Sequence, residues 1–288
     1  MFILGIAISV FLCIPLYYFT SGIIGVQAIE TPFMIFKVYA GLIMAVLYGM
    51  VGFLDDYIKV VKKQNKGLNP KQKLIFQFSI AILYLASTYI FGNSQGVLNL
   101  TTVDIPFLGR LDFGIFFWII SAVVIVGIVN AANLTDGIDG LNSSVTFFAG
   151  IFFMIITSVS GMFGLSIESA ALIGGCLGFL IWNFYPAKVF MGDTGSLFLG
   201  GMVCALGFGS GQHVVLILLS MVYICEMFSV ILQVLYFKVT KGKRLFRMSP
   251  IHHHFEMLGW SEIKICALFS LAEAVFGVIS LLIVLYKV

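Results

Sequence analysis

Nine apolar runs, each long enough to cross a bilayer as a helix, constrain this chain more than any other feature. A bilayer core takes about 20 mostly apolar residues as helix, within a range of about 17–25. The runs cover roughly residues 1–20, 36–54, 74–92, 113–131, 143–161, 166–183, 195–211, 213–238 and 263–286. Of 288 residues, 60% are hydrophobic and only 10% are charged, whereas a soluble domain carries about 25% charged residues. Helices satisfy their own backbone groups inside lipid, and the alternating segments of about 10 residues that transmembrane strands need are absent. The expectation is an all-α polytopic membrane protein with nine transmembrane helices in one domain, residues 1–288.

The charges orient these spans. Thirteen of the 16 basic residues fall in one set of connections: Lys59, Lys62, Lys63, Lys66, Lys71, Lys73, Lys188, Lys238, Lys241, Lys243, Arg244, Arg247 and Lys264. Lys37, Arg110 and Lys287 fall in the other. The basic side is expected to be cytoplasmic, so that Met1 begins inside and Val288 ends outside. The first run has no basic segment before it and no small-residue cleavage site after it, which reads as a retained span. The five cysteines lie in apolar runs without CxxC spacing and read as buried small hydrophobes. Repeats, low-complexity stretches and soluble domains are not evident.

The side rich in lysine also carries the polar clusters. The first is Asp55-Asp56, with Lys59 following, at the end of an apolar run. Anions are disfavoured at a helix C-terminus, so the pair needs a cation, a metal or a proton beside it. Neighbours on a helix point about 100° apart, so one carboxylate can face a ligand while the other braces it. The second cluster runs from Asn130 through Asn133, Leu134, Asp136, Gly137 and Asp139 to Gly140. Asn130 and Asn133 are i,i+3 neighbours, as are Asp136 and Asp139, and the glycines let backbone amides approach a ligand. Its likeness to an EF-hand loop is superficial, because the later ligands and closing glutamate are missing; a capped turn is the plainer alternative.

The third cluster, Asn183 to Ser196, places Asp193 just before an apolar helix. Asp193 is either an N-cap or an oxygen ligand for a hard cation such as Mg²⁺, and the exposed amides near Gly195 suit phosphate. The fourth is Ser249 to Glu256, with His252, His253 and His254. Three consecutive rings cannot converge on one tetrahedral zinc ion, and zinc motifs space their histidines. Histidines beside acidic, glycine-rich loops better suit a phosphorylated ligand, as donors or proton carriers. The basic run Lys241 to Arg247 fits plain positive-inside charge. Gln233 stands near the cytoplasmic end of its run, Glu226 and Glu273 read equally as paired structural acids, and His213 on the outer side is given no role. The outer connections, with Glu30, Asp104 and Asp112, carry no comparable density. Polar clusters on one face argue for a site at the membrane boundary and against a transporter or channel.

Taken in order, GFLDDYIKV, NAANLTDGIDGLNS, NFYPAKVFMGDTGSLFLGG and SPIHHHFEMLGW resemble the signature cytoplasmic loops of the polyprenyl-phosphate N-acetylhexosamine-1-phosphate transferase superfamily. The resemblance covers about residues 1–286, and the HHHFE form points to its muramoyl-pentapeptide branch over relatives that use UDP-N-acetylglucosamine. It implies a Mg²⁺-dependent phosphoglycosyl transferase of peptidoglycan biosynthesis, and so of cell-wall biogenesis, cell shape and division. UDP-N-acetylmuramoyl-pentapeptide and undecaprenyl phosphate would give the first lipid-linked precursor and UMP, at the bacterial inner membrane among its lipids. Carried over by motif, Asp193 would ligate Mg²⁺, while Asp55, Asp56, His252, His253 and His254 would be catalytic. Asn133, Leu134, Asp136, Asp139 and Asn183 would line the nucleotide pocket, with Gly137 and Phe190 flanking uracil. Lys59, Lys71 and Gln233 would help bind phosphates or neighbouring substrate groups. The family has ten spans, and Met1 aligns near its second, so the chain is expected to lack the family's first helix and following loop, with that loop's lysine. Homodimerisation is common for such folds and leaves no signal in this sequence.

Overall fold

The computed structural model describes residues 1–24, 30–63, 67–106 and 108–287; Lys66 and Val288, both used above for orientation, lie outside them. Its helices are α1 (Phe2–Ile24), α2 (Pro32–Val61), α3 (Pro70–Ser94), α4 (Ile115–Thr135), α5 (Leu141–Val159), α6 (Phe163–Asn183), α7 (Gly192–Ser210), α8 (His213–Leu218), α9 (Met221–Val239), α10 (Ile251–Glu256) and α11 (Glu262–Lys287). Two short strands, β1 (Thr102–Ile105) and β2 (Gly109–Asp112), stand between α3 and α4.

Among the described residues, eight helices are long and apolar enough to cross a membrane: α1 to α6, α9 and α11. The protein is therefore an all-α multi-pass membrane protein, apart from one hairpin. The expected run 195–211 corresponds to α7, which does not join the eight. Glycines lower its hydropathy, yet Gly195 through Gly207 are all buried, so it is the central helix. The expected span 213–238 is interrupted: α8 ends at Leu218 and α9 starts at Met221. In the sequence, only Ser220 marks that break. Most helices also extend beyond the expected apolar runs, and α2 continues through the polar Asp55-Asp56-Tyr57 to Val61.

Small residues bring α2 and α7 together as antiparallel neighbours. A Cβ added at Gly41 would lie 2.8 Å from the Ala205 Cβ, and one at Gly201 would lie 2.8 Å from the Ala45 Cα. One at Gly49 would meet Phe198 at 3.2 Å, and one at Gly52 would lie 2.2 Å from the Asp193 carbonyl oxygen. The contacts recur every three or four residues, the spacing of one helix face. Inside a bilayer, close backbone approach at such small residues is a main source of helix association. Gly200 does the same toward α4, where its Cβ would meet the Val129 Cα at 2.8 Å. Elsewhere the buried apolar residues described in α1 are Ile6, Val10 and Ile14, a stripe at i, i+4 and i+8 facing the bundle.

Some polar groups in the core are paired across helices, while the Glu168 and Glu273 carboxylates are buried without a hydrogen-bond partner among the described residues. Gln77 of α3 and Asn130 of α4 exchange two amide hydrogen bonds, at 2.8 and 3.2 Å. The Tyr48 hydroxyl donates to the Gln77 carbonyl at 2.9 Å. The antiparallel hairpin pairs Asp104 with Arg110, whose side chains form a 3.0 Å ion pair.

Candidate active site

The close packing of α2, α4 and α7 has a chemical consequence at one end of the bundle. Gly52 leaves room for the α7 N-terminus, so Asp55 and Asp56, one turn further along α2, lie beside Asp193. Oxygens of these three carboxylates lie within 4.8 Å of one another, a group that could hold a metal ion. Asp56 is held by the Thr194 amide and hydroxyl, which donate to its Oδ2 at 3.0 and 2.7 Å. Asp55 is buried and accepts from the Leu68 amide at 2.6 Å, which ties the 67–69 segment to α2. Asn133 donates to Asp193 Oδ1 at 2.9 Å and to the Ser196 hydroxyl at 2.8 Å.

Two lysines balance these acids. Lys59 Nζ lies 2.5 Å from Asp55, 3.6 Å from Asp56 and 3.4 Å from Asp193. Lys73, in the second turn of α3, reaches Asp193 Oδ2 at 2.7 Å. Three carboxylates so close would repel strongly without such cations, and the amide-rich start of α7 adds positive partial charge. Among the described residues, Asp136, just past the end of α4, makes no salt bridge. Burial first, then the nearby Asp193 and Asp56, pushes its carboxyl up to about 8. A cation among the acids would oppose that upward shift.

The loop after α4 continues to the histidines. A Cβ at Gly137 would lie 2.2 Å from His252 Nε2, so only glycine fits there. On its other side, the wholly buried His252 places Nδ1 3.1 Å from Glu226 Oε2, on α9. The two atoms are in contact without an aligned hydrogen bond, and among the described residues neither side chain has another hydrogen-bond partner. The His252 and His253 rings lie 4.1 Å apart between centroids, but the three histidines have different partners: His253 pairs with Glu256, and His254 Nδ1 accepts from the Arg247 amide at 3.1 Å.

Several residues singled out in the sequence brace loops. Asp139 Oδ2 accepts from the Ala187 amide at 2.8 Å, while its own amide donates to Glu262 at 2.9 Å. The Asn183 side chain donates to the Val189 carbonyl at 2.9 Å. Gln233 Oε1 accepts from the Leu245 and Phe246 amides, and its Nε2 donates to the Phe246 carbonyl. Leu134 is half-buried beside Asn133. Asn130, expected to share a face with Asn133, instead turns to Gln77. Phe190 is 74% exposed and lines a cavity of about 840 Å³ between α1 and α6 that reaches Thr194 and Gly195. Lys71 is exposed, because residues two apart on a helix point about 200° apart and Lys73 takes the inward direction. Lys73, Thr194 and Glu226 were not singled out as site residues. Lys73 carried no signal beyond a basic helix start, whereas Glu226, an acid inside an apolar run, did.

The model of the family described as glycosyl transferase family 4 matches residues 38–210. Those residues include the Asp55, Asn133 and Asp193 segments but not the histidines. Among curated relatives, the phospho-N-acetylmuramoyl-pentapeptide-transferase of Caldicellulosiruptor bescii is 42% identical over 271 residues, covering 92% of this chain and 82% of the relative. The protein of the same name from Listeria monocytogenes serotype 4b is 42% identical over 276 residues, with 92% and 83% covered. That from Desulforamulus reducens is 45% identical over 238 residues, with 82% and 70% covered. Alongside these transferases, the chain belongs to glycosyl transferase family 4.

Proposed function

We propose that this chain transfers phospho-N-acetylmuramoyl-pentapeptide from UDP-N-acetylmuramoyl-pentapeptide to undecaprenyl phosphate, giving the first lipid-linked peptidoglycan precursor and UMP. The observation that carries the reading is the meeting of Asp55, Asp56 and Asp193 with Lys59, Lys73 and Asn133 at one end of a membrane bundle. Phosphoryl transfer needs positioning and charge neutralisation more than covalent chemistry from the protein. A lipid phosphate and a nucleotide diphosphate repel each other, and a site at the membrane boundary with cations at hand lets them meet.

The donor set fits Mg²⁺, which favours hard oxygen ligands and typically takes one or two carboxylates plus substrate phosphates. Asp193 is its main ligand in this reading, with Asp55 and Asp56 beside it. When bound, the ion neutralises charge on the transferred phosphoryl group. Lys59 and Lys73 hold the carboxylates together and are within reach of incoming phosphates. Asp55 or Asp56 holds or deprotonates the lipid phosphate. The Asn133–Asp139 segment and Asn183 shape the nucleotide side, with Gly137 and Phe190 toward the base. Lys71, His252, His253, His254 and Gln233 bind or orient phosphates and nearby groups. In this reading, all nine long helices span the inner membrane, the acidic end is cytoplasmic, and 1–288 is one transferase domain that works among membrane lipids, with homodimerisation allowed.

The test is UMP release by the purified chain with undecaprenyl phosphate and either UDP-N-acetylmuramoyl-pentapeptide or UDP-N-acetylglucosamine, with and without Mg²⁺. The expected result is Mg²⁺-dependent release with the pentapeptide donor alone. Release with only the acetylglucosamine donor overturns the substrate assignment. Full activity after exhaustive chelation overturns the metal assignment.

A further inference from the structure

At the opposite end of the bundle, two adjoining cavities open near the β1–β2 hairpin. Lys37 stands there on α2, 18 positions before Asp55, a separation of about 27 Å of helix. The smaller cavity, about 310 Å³, has aromatic walls from Phe33, Tyr84, Phe117, Trp118 and Phe208, and Lys37 lines it. The larger, about 740 Å³, runs between α3 and α4 past Ile82, Ala86, Tyr89, Ile115 and Trp118. Both are lined by Leu85, Leu98, Asn99, Leu100 and Trp118, so they share a wall.

Lys37 is the group that this end leaves unbalanced. It sits partly buried on an apolar helix, its ammonium 5.3 Å from the Phe33 ring centroid. Among the described residues, it makes no salt bridge. Asp104, the one carboxylate lining the small cavity, is paired with Arg110. Two further polar residues line the small cavity, and the Tyr84 hydroxyl and His213 Nδ1 are buried without hydrogen-bond partners among the described residues. Ionisable groups at membrane depth are costly and usually functional. A cation with spare donors beside an apolar channel open between two lipid-facing helices matches an amphiphile with an anionic head.

We propose that these cavities form a binding site for an anionic phospholipid. Its phosphate lies against Lys37, and one acyl chain runs along α3 and α4. The site is separate from the acidic cluster and does not rest on the proposed transferase activity.

The test uses the full chain purified in detergent, offered equal amounts of phosphatidylglycerol and phosphatidylcholine, with bound lipid counted by native mass spectrometry. Phosphatidylglycerol is expected to be retained about tenfold over phosphatidylcholine. Lys37→Gln should remove that preference and Lys37→Arg should keep it. Ala86→Trp, which fills the larger cavity without touching the lysine, should also lower retention; general attraction of headgroups to a basic surface would be indifferent to it. UMP release should be unchanged in all three variants. Equal retention of the two lipids by the unmodified chain overturns the proposal, as does undiminished selectivity in Lys37→Gln and Ala86→Trp. Displacement of the lipid by millimolar inorganic phosphate would assign the pocket to a soluble anion and overturn the lipid assignment.

Discussion

The two halves of the candidate site are built differently. The acidic half rests on backbone contact: glycines of α2 and α7 let the helices touch, and Asp55, Asp56 and Asp193 converge because the helices do. The imidazole half rests on side chains. Helix α10 is short, and its place is set by Glu226 against His252 and by Gln233 against the 245–246 backbone. Helix α7 is buried almost throughout, whereas α9 buries only Val222, Tyr223, Glu226 and Ser229. Helices in backbone contact have few alternative arrangements. A loop held by separate side-chain contacts can move when one of them is changed. The acidic half should therefore fail sharply on small changes, and the imidazole half by degrees.

The largest effect is expected at the acids. Asp193→Asn keeps the Asn133 contact in shape but removes the charge that faces Lys73 and a cation. Loss of a metal-centred interaction worth several kcal/mol predicts a fall in UMP release of roughly 10³-fold or more, with the melting temperature little changed. Asp55→Asn and Asp56→Asn should also impair turnover, with unequal severity. A Mg²⁺-dependent rate near that of the unmodified chain in Asp193→Asn would refute the assignment of the acidic half.

A sharper comparison places the same substitution at two points of one interface. Gly52→Ala and Gly41→Ala both press a methyl group against α7, the first at the Asp193 carbonyl and the second at Ala205. Overpacking should cost about 1–3 kcal/mol of stability in each. Only Gly52→Ala shifts the carboxylates, and a displacement near 1 Å can cost about 10²-fold in rate. Equal activity losses in the two variants would show that α2–α7 contact matters only for folding.

These contrasts also mark what was legible in the sequence. The apolar runs located the helices, and four polar segments announced the ends that meet, because acids and amides beside lipid need a reason to be there. The Gly41, Gly49 and Gly52 series lay in plain view, but partners at a fixed helical spacing are visible only once two helices are paired. Whether Lys71 or Lys73 turns inward depends on the rotation of α3, which the weak amphipathicity of its apolar run does not fix. The break between α8 and α9 was marked only by Ser220, a single small polar residue that an apolar run readily absorbs. Asn130 and Asn133 looked equivalent by spacing, yet Gln77 captures the first and Asp193 the second.

Within the imidazole half, Glu226→Gln should have an intermediate effect. It replaces a carboxylate oxygen beside His252 with an amide while keeping the volume, and a buried polar group left without its partner costs about 1–3 kcal/mol. UMP release is expected to drop roughly tenfold, with a lower melting temperature. The double variant Glu226→Gln with His252→Asn should lose less than the sum of the single losses, because the two side chains act as one unit. Strict additivity would mean that the 3.1 Å contact has no energetic weight.

The smallest effect is expected at Gln233, for which two roles give opposite readings. As a substrate ligand it would raise KM when removed. As a clamp it would release the loop and leave substrate affinity nearly unchanged. Among the described residues, all three of its side-chain hydrogen bonds go to the 245–246 backbone, so Gln233→Ala should act mainly on the loop. Each lost hydrogen bond is worth about 0.5–1.5 kcal/mol net, enough to expose Lys241, Lys243 and Arg244 to trypsin faster than in the unmodified chain. The change in kcat/KM should stay within about tenfold. A rise in KM without faster cleavage would return Gln233 to the substrate pocket, and would mean that the glutamine exchanges its loop contacts for the ligand when the nucleotide arrives.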